Sequence, residues 1–185
     1  MARLEKFSQK DFLEKGVMFL KEKGIFSLNA RDLCKFIGCS TQPLFRHYKS
    51  MEEFKEDLKG YLRKDYESFI QEYICENDYL FTISYAYVLY ALKFPNLFFA
   101  MFLSEFPGKR TIREVLDTKR NQSTIQAMVQ TYSISILEAE ELYRDVRFYT
   151  HGLASQICNE SIVVTEDEIA FLIRNVIQKL LNGGE

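Results

Sequence analysis

Helix-start signals recur along this 185-residue sequence and leave little room for any other secondary structure. Ser or Thr followed three positions later by Glu, the capping-box pattern, begins at Ser50, Ser135 and Thr165, and a variant with Asp begins at Ser8 and Asn29. Helix breakers are scarce, with 3 Pro and 8 Gly. No segment shows the regular alternation of a strand. The pattern therefore predicts an all-α protein.

The signals and the apolar periodicity together predict helices at 9–23, 30–37, 41–47, 51–75, 78–93, 95–106, 111–131, 135–159 and 165–182. The apolar stretch 79–106 is interpreted as two core helices, because Lys93 and Pro95 interrupt it before the roughly 20 apolar residues that a membrane span needs. The last helix has the clearest apolar stripe, with i, i+3, i+4 spacing. Its members are Ile169, Leu172, Ile173, Val176, Ile177, Leu180 and Leu181.

Charge is distributed unevenly along the chain. Residues 1–64 carry 14 Lys and Arg against 9 Asp and Glu, whereas residues 65–185 carry 10 against 17. A basic N-terminal segment on an acidic body suggests that only the N-terminal part faces a polyanion.

The sequence contains no pattern of metal or enzyme chemistry. There is no C-x-x-C pair, and the two histidines, His47 and His151, are far apart, so no metal-ligand spacing occurs. No nucleophile motif, phosphate loop or recognisable catalytic carboxylate pair is found. We therefore predict no metal, no cofactor and no enzymatic activity. Scattered thiols and an N-terminus without an apolar signal segment predict a cytoplasmic protein.

Residues 29–54 form the most informative segment. Asn29 is placed to cap a short helix, and Gly38 stands where that helix has to end, because glycine enters the left-handed conformation without penalty. Cys39 is expected to be buried under the turn, and Ser40 to cap the next helix. Leu44, with Tyr48 one turn later, would hold that second helix to the core.

The other residues of the second helix would remain on its outer face. A short helix, a glycine turn and a second short helix with polar groups near its start are typical of a major-groove reader. Gln42 and Thr41 can hydrogen-bond bases, and Arg46 can pair with guanine or phosphate. By spacing alone, a plain helical hairpin with a solvated face remains an alternative.

Residues 8–54 resemble the DNA-binding domain of the tetracycline-repressor (TetR) family of transcription regulators. That family typically shows T-x-R-D-I-A-x-x-A-G-V-S-x-x-x-L-Y-x-H-F-x-S-K-E-x-L after a first helix. This chain matches it without a gap, identically or by near equivalents, at Arg31, Asp32, Leu33, Gly38, Ser40, Leu44, Phe45, His47, Tyr48, Ser50, Glu52 and Phe54.

The resemblance implies a three-helix DNA-binding domain, 1–54, linked through helix 51–75 to a larger ligand-binding and dimerisation domain, 55–185. Helices 135–159 and 165–182 would pair across a homodimer as a four-helix bundle. On the first of these we expect an apolar face made of Leu142, Val146, Tyr149, Leu153 and Ile157. The residues expected at DNA are Asn29, Arg31, Thr41, Gln42, Pro43, Phe45, Arg46, His47 and Lys49.

Three departures from the family pattern limit what can be transferred. Met51 stands where a phosphate-contacting Lys is common, and Lys49 or Lys55 could substitute for it. Phe45 replaces the usual Tyr and lacks its hydroxyl. Pro43 lies in the first turn of the recognition helix, where its missing N–H costs little. The operator sequence is therefore not transferable.

Aromatic residues concentrate at 79–106. They predict either an apolar ligand pocket with Tyr hydroxyls that orient the ligand, or an ordinary aromatic core. The candidate ligand-binding residues are Tyr85, Tyr90, Phe98, Phe102 and His151. For His151, a satisfied interface histidine is the alternative.

The leading hypothesis is a ligand-responsive regulator, a repressor whose homodimer releases a palindromic operator when it binds a small apolar or amphipathic molecule. One rival is a helical small-molecule carrier or enzyme with an incidental helix-turn-helix. Another is an architectural or partner-binding protein without a ligand.

Overall fold

The computed structural model describes residues 7–104, 109 and 111–183, with Arg120 described by its backbone alone. These residues form ten α-helices and no strand, which confirms the all-α prediction. The helices are α1 Gln9–Lys23, α2 Ala30–Ile37, α3 Thr41–His47, α4 Met51–Gln71, α5 Tyr79–Lys93, α6 Pro95–Phe98, α7 Ile112–Leu116, α8 Lys119–Tyr132, α9 Ile136–Cys158 and α10 Glu166–Leu181. Short 3-10 segments at Ile25–Ser27 and Glu76–Asp78 and a π-helical segment at Phe99–Leu103 complete the set.

Local capping explains the helix starts that the sequence predicts correctly. Ser8 and Ser135 each accept a hydrogen bond from the third helical residue, whose carboxylate in turn accepts from the Ser backbone N–H. The hydrogen bonds from the Ser135 hydroxyl and N–H hold the pKa of Glu138 below its usual value. The predicted bounds of α1, α2 and α3 are confirmed.

The single helix predicted at 111–131 is wrong. Helix α7 ends at Leu116, and Thr118 caps the start of α8 by accepting a hydrogen bond from the Asn121 backbone N–H at 3.4 Å. The carbonyls released by the break are taken up by side chains of α8. The Asn121 amide donates to the Val115 carbonyl, and the Gln122 amide donates to the Leu116 carbonyl at 3.1 Å. Polar side chains have thus replaced one turn of backbone hydrogen bonds.

Two further predicted helices end early. The helix expected to reach residue 75 stops at Gln71, where Glu72 and Tyr73 close a turn on the Phe69 and Ile70 carbonyls. The helix expected at 95–106 is α-helical to Phe98 and π-helical to Leu103, and its last two predicted positions lie outside the described residues. Among the described helices, no single one is long and apolar enough to cross a membrane. The segments Glu76–Lys93 and Pro95–Leu103 reach that length and character only when they are counted together.

The chain divides into two compact units. The first comprises Met1–Tyr66 and Phe94–Pro107 and contains α1, α2, α3, most of α4, α6 and the π-helical segment. Its buried apolar side chains include Phe12, Phe19, Leu20, Leu33, Leu44, Tyr48, Phe54, Leu58 and Leu62. Helix α1 is central, since it contacts α2, α3 and α6.

This first unit extends beyond the segment 1–54 that the sequence suggests. Gly16 of α1 lets α4 approach closely, because a Cβ at residue 16 would lie 3.0 Å from Leu58 Cδ1 and 3.1 Å from Phe54 Cζ. The Asn96 side chain donates to the Lys21 carbonyl at 2.9 Å and so ties α6 to the end of α1. The Lys21 ammonium lies 4.4 Å from the centre of the Phe94 ring. These contacts join residues far apart in sequence, which local patterns do not reveal.

The second unit comprises Glu67–Lys93 and Gly108–Glu185. Helix α5 packs against α8, α9 and α10 and is buried along most of its length. The Tyr143 hydroxyl of α9 donates to the Asn121 side chain at 2.8 Å inside this packing. A second link joins α10 to the start of α5, where Arg174 pairs with Asp78 at 2.9 Å and its guanidinium lies 3.6 Å from the centre of the Phe81 ring.

The faces expected to pair between two copies are largely used within one chain. On α9, the predicted interface residues Leu142, Val146, Leu153 and Ile157 are buried, and Tyr149 alone of that set is exposed. On α10, Ile169, Ile173 and Ile177 are buried, Leu172 and Val176 are half-buried, and Leu180 and Leu181 are exposed. Most of these two faces is therefore covered within the chain, because α5 supplies an apolar complement, and pairing through them across a dimer stays a prediction. The large apolar residues that stay exposed are Ile136, Leu137, Phe148 and Tyr149 on α9 and Phe171, Leu180 and Leu181 on α10.

Candidate nucleic-acid interface

Helix α2 begins at a cap that Asn29 makes with its own chain. Its side-chain oxygen accepts from the Asp32 backbone N–H at 3.0 Å, and its side-chain NH₂ donates to the Asp32 carboxylate at 2.7 Å and to the Ser27 carbonyl at 3.2 Å. Because these side-chain groups are already used in the cap, a phosphate that contacts Asn29, as predicted, would have to share them with Asp32 and the Ser27 carbonyl. Arg31, two residues later, is exposed and forms no ion pair or hydrogen bond within the described residues.

The turn between α2 and α3 is built on Gly38. Its φ of 82° and ψ of 36° place it in the left-handed region, and its N–H reaches the Cys34 and Lys35 carbonyls at 3.0 and 3.2 Å. The Cys39 N–H also reaches the Cys34 carbonyl, at 2.9 Å. A Cβ at residue 38 would meet nothing within 4 Å, so the backbone conformation, not space, requires glycine here.

Cys39 is less buried than the sequence predicts, and the buried thiol at this turn is Cys34. Cys34 is buried, whereas Cys39 is half-buried. Burial, followed by the neighbouring Cys39 thiol, raises the pKa of Cys34 to about 12. Cys34 therefore stays neutral and behaves as a small apolar residue that seals α2 against the core.

Helix α3 starts without the predicted serine cap. Ser40 occupies the position before the helix, but its side chain accepts no hydrogen bond from the first turn. The donors open to a capping side chain are the N–H groups of the second and third helical residues. The third residue here is Pro43, which has no N–H. The proline has thus removed one of the two possible partners of Ser40.

Two buried side chains hold α3 in place. Leu44 is fully buried, and Tyr48 is buried with its ring 5.1 Å from that of Phe54, edge to face. His47 adds a third attachment, since its Nε2 lies 3.0 Å from the Phe7 carbonyl, which can only accept. His47 was predicted at DNA, and one of its ring nitrogens is engaged inside the unit.

The opposite face of α3 is open to solvent. Gln42, Phe45 and Arg46 are exposed on α3, at i, i+3 and i+4 spacing, with Thr41 and Pro43 half-buried beside them, and Lys49 is exposed two residues beyond the end of the helix. Within the described part of the chain, the side chains of Gln42, Arg46 and Lys49 form no hydrogen bond or ion pair. The structure thus brings most of the predicted reading residues onto one surface.

Sequence reasoning missed a polar bridge between α1 and α4. The Gln9 amide at the start of α1 donates to the Asp57 carboxylate of α4 at 2.7 Å. The Tyr48 hydroxyl is buried beside Gln9 and Asp57 and makes no hydrogen bond of good geometry with the described residues, and burial raises its pKa. No local pattern links residues 9 and 57, so only the folded chain reveals their contact.

The five predicted ligand residues are divided between the two units. Phe98 and Phe102 belong to the first unit, where their ring centres lie 4.9 Å apart and Phe102 meets Tyr66 edge to face at 5.3 Å. Tyr85, Tyr90 and His151 belong to the second unit.

In the second unit these three side chains have different partners. The Tyr85 hydroxyl donates to the Glu166 carboxylate at 3.2 Å, and the buried Tyr90 ring lies 5.2 Å from Phe69. The Nδ1 atom of His151 lies 2.7 Å from the Tyr87 hydroxyl, and burial lowers the pKa of His151. A ligand role for the five residues stays a prediction.

Comparison with known proteins supports the fold. No protein-family model and no curated protein matches the chain. Among solved structures, the chain is similar to a TetR transcriptional regulator from Rhodococcus sp. RHA1, with 17% sequence identity and a TM-score of 0.54. The match covers 94% of this chain and 96% of that chain. The resemblance found in residues 8–54 is thereby confirmed at the level of the fold, and the chain has the fold of a TetR transcriptional regulator.

Proposed function

We propose that the chain is a DNA-binding transcription regulator that reads its operator with the exposed face of α3. One observation carries the proposal. Gln42 and Arg46 share a solvent-exposed face of α3, with Lys49 exposed just beyond the helix end, while Leu44 and Tyr48 are buried in the core. A short helix held rigidly with unpaired polar and basic side chains outward is suited to the major groove.

The chemistry of these side chains separates base reading from positioning. The Gln42 amide matches the N7 acceptor and N6 donor of adenine, and Arg46 matches guanine or a phosphate. We assign Thr41 to bases as well. Lys49, Arg31 and the cap at Asn29 would hold phosphates, which position the protein without reading sequence.

A homodimer would present two such readers to a palindromic site. The half-sites would lie about 34–36 Å apart, one turn of B-DNA. The exposed apolar side chains of α9 and α10, Phe148, Tyr149 and Phe171, support pairing through these helices, because they are 54%, 38% and 68% exposed in the single chain. Of these three, only Tyr149 belongs to the face that the apolar periodicity suggests.

We further propose that the regulator is a repressor released by a small apolar or amphipathic molecule bound in the second unit, and that it acts in the cytoplasm. The Tyr87–His151 hydrogen bond supports this, since it places a polar pair, with Tyr87 buried and His151 half-buried, inside the second unit. The molecule would act through a different affinity for the DNA-competent and DNA-free states.

Selection of bound duplexes from a random pool tests the proposal and yields an operator. On that operator, Gln42→Ala should cost about 1–3 kcal/mol and much less on random DNA. Lys49→Ala should weaken both DNAs alike and lower the salt slope by about one unit. Lys10→Ala removes an equal charge from an exposed position of α1, where Lys10 pairs with Glu14, and should leave the slope unchanged. If Gln42→Ala weakened both DNAs equally, α3 would not be the reader.

A further inference from the structure

An aromatic side chain lies in the middle of the polar face of α3. Phe45 is 45% exposed, although Leu44 beside it is fully buried. Its neighbours on the exposed face are Gln42 one turn before it and Arg46 next to it. Since Leu44 and Tyr48 supply the apolar anchors of α3, the Phe45 ring is not needed to attach the helix.

The chemistry of the ring limits what it can contact on DNA. A phenyl ring has no hydrogen-bonding group, so it cannot bind a phosphate oxygen or the donor and acceptor edge of a base. In the major groove of unmodified DNA, the apolar group that a protein can contact is the 5-methyl group of thymine. We propose that Phe45 determines specificity by packing on a thymine methyl group in each half-site, an inference that rests on the proposed function.

The position of Phe45 also indicates where this thymine lies. Gln42 precedes Phe45 by three residues, about 4.5 Å along the helix axis, and successive base pairs are about 3.4 Å apart. The thymine therefore lies within about two base pairs of the adenine that the Gln42 amide reads. The part of the half-site that α3 reads therefore contains these two A·T base pairs.

Replacing thymine by uracil tests the proposal directly, since it removes the methyl group and keeps every hydrogen-bonding group. In the selected operator, each thymine of one half-site is replaced in turn. The wild-type protein should bind one of these duplexes about fourfold more weakly, the factor that corresponds to one buried methyl group. Phe45→Ala should bind that uracil duplex and its thymine parent equally.

A matched control uses Met18, which is 46% exposed on α1. Met18→Ala removes a similar apolar surface away from α3 and should keep the fourfold difference. Unchanged thermal unfolding of both variants shows that the unit stays folded. The proposal is overturned if no uracil duplex binds more weakly, or if Phe45→Ala keeps the difference. Either result would leave the proposed function intact, whereas failure to select any duplex would remove that function itself.

Discussion

Gly152, in the middle of α9, offers a sharp test of the proposed dimer. It is exposed, it follows the exposed Phe148 and Tyr149, and a Cβ at this position would meet nothing within 4 Å in the single chain. Glycine inside a helix costs about 1 kcal/mol relative to alanine. Within one chain, Gly152→Ala should therefore raise the free energy of unfolding by about 1 kcal/mol.

In the dimer the same change should have the opposite effect. If the partner's helix packs against this face, the added methyl group enters a close contact, and overpacking costs about 1–3 kcal/mol. A two-fold interface contains the methyl group from both subunits. The dimer dissociation constant should then rise at least about tenfold, which corresponds to about 1.4 kcal/mol.

Sedimentation equilibrium of the wild type, Gly152→Ala and Gly60→Ala measures this. Gly60 is an exposed glycine of α4 whose Cβ would also meet nothing within 4 Å, so it reproduces the gain in helix propensity without touching α9. Gly60→Ala should leave the dissociation constant unchanged. If Gly152→Ala dimerised as tightly as the wild type, α9 would not approach its partner at Gly152. A monomer of the wild type at micromolar concentration would refute the dimer itself.

The remaining predictions concern stability. Gly16→Ala should lower the free energy of unfolding, measured with denaturant, by about 1 kcal/mol, because crowding of Leu58 outweighs the gain in helix propensity. A higher free energy of unfolding would mean that the Leu58 side chain moves aside at little cost. Tyr48→Phe should raise it by about 1 kcal/mol in the same assay, since a buried hydroxyl without a partner is removed, and a loss would reveal a partner. Because burial lowers the pKa of His151 in the folded chain, its contribution to stability is full above the ordinary value of 6.5 and is lost as pH falls below that value and through the lowered pKa of the folded chain. The thermal midpoint of the wild type should therefore fall between pH 7.5 and pH 5.5, a range of about two units around the ordinary pKa, and His151→Gln should make this fall smaller. If the thermal midpoint of the variant fell as steeply with pH as that of the wild type, this assignment would be contradicted.

The helices of the candidate interface, α1, α2 and α3, could be predicted because their signals are local. Ser8 and Asn29 cap their own helices within three residues, and Gly38 ends α2 by a backbone conformation that glycine adopts without penalty. The spacing of Leu44 and Tyr48 was enough to place Gln42 and Arg46 outside. The serine cap predicted at the start of α3 does not form, because Pro43 lacks an N–H that the Ser40 side chain would accept.

The second unit shows where local patterns stop. A run without Pro or Gly was interpreted as one helix at 111–131, yet side chains of α8 satisfy the carbonyls of a break after Leu116. The apolar stripes on α9 and α10 were located correctly in sequence, but periodicity does not reveal which partner covers a stripe.

The sequence by itself therefore determined the all-α class, the helix-turn-helix and its outward face, since caps, turns and periodicity act over a few residues. Only the tertiary structure decided that Phe94–Pro107 belongs with the N-terminal unit and that α5 covers the inner faces of α9 and α10. Burial of apolar surface is non-directional, so a stripe indicates that something covers it, and the contacts of the folded chain decide what does.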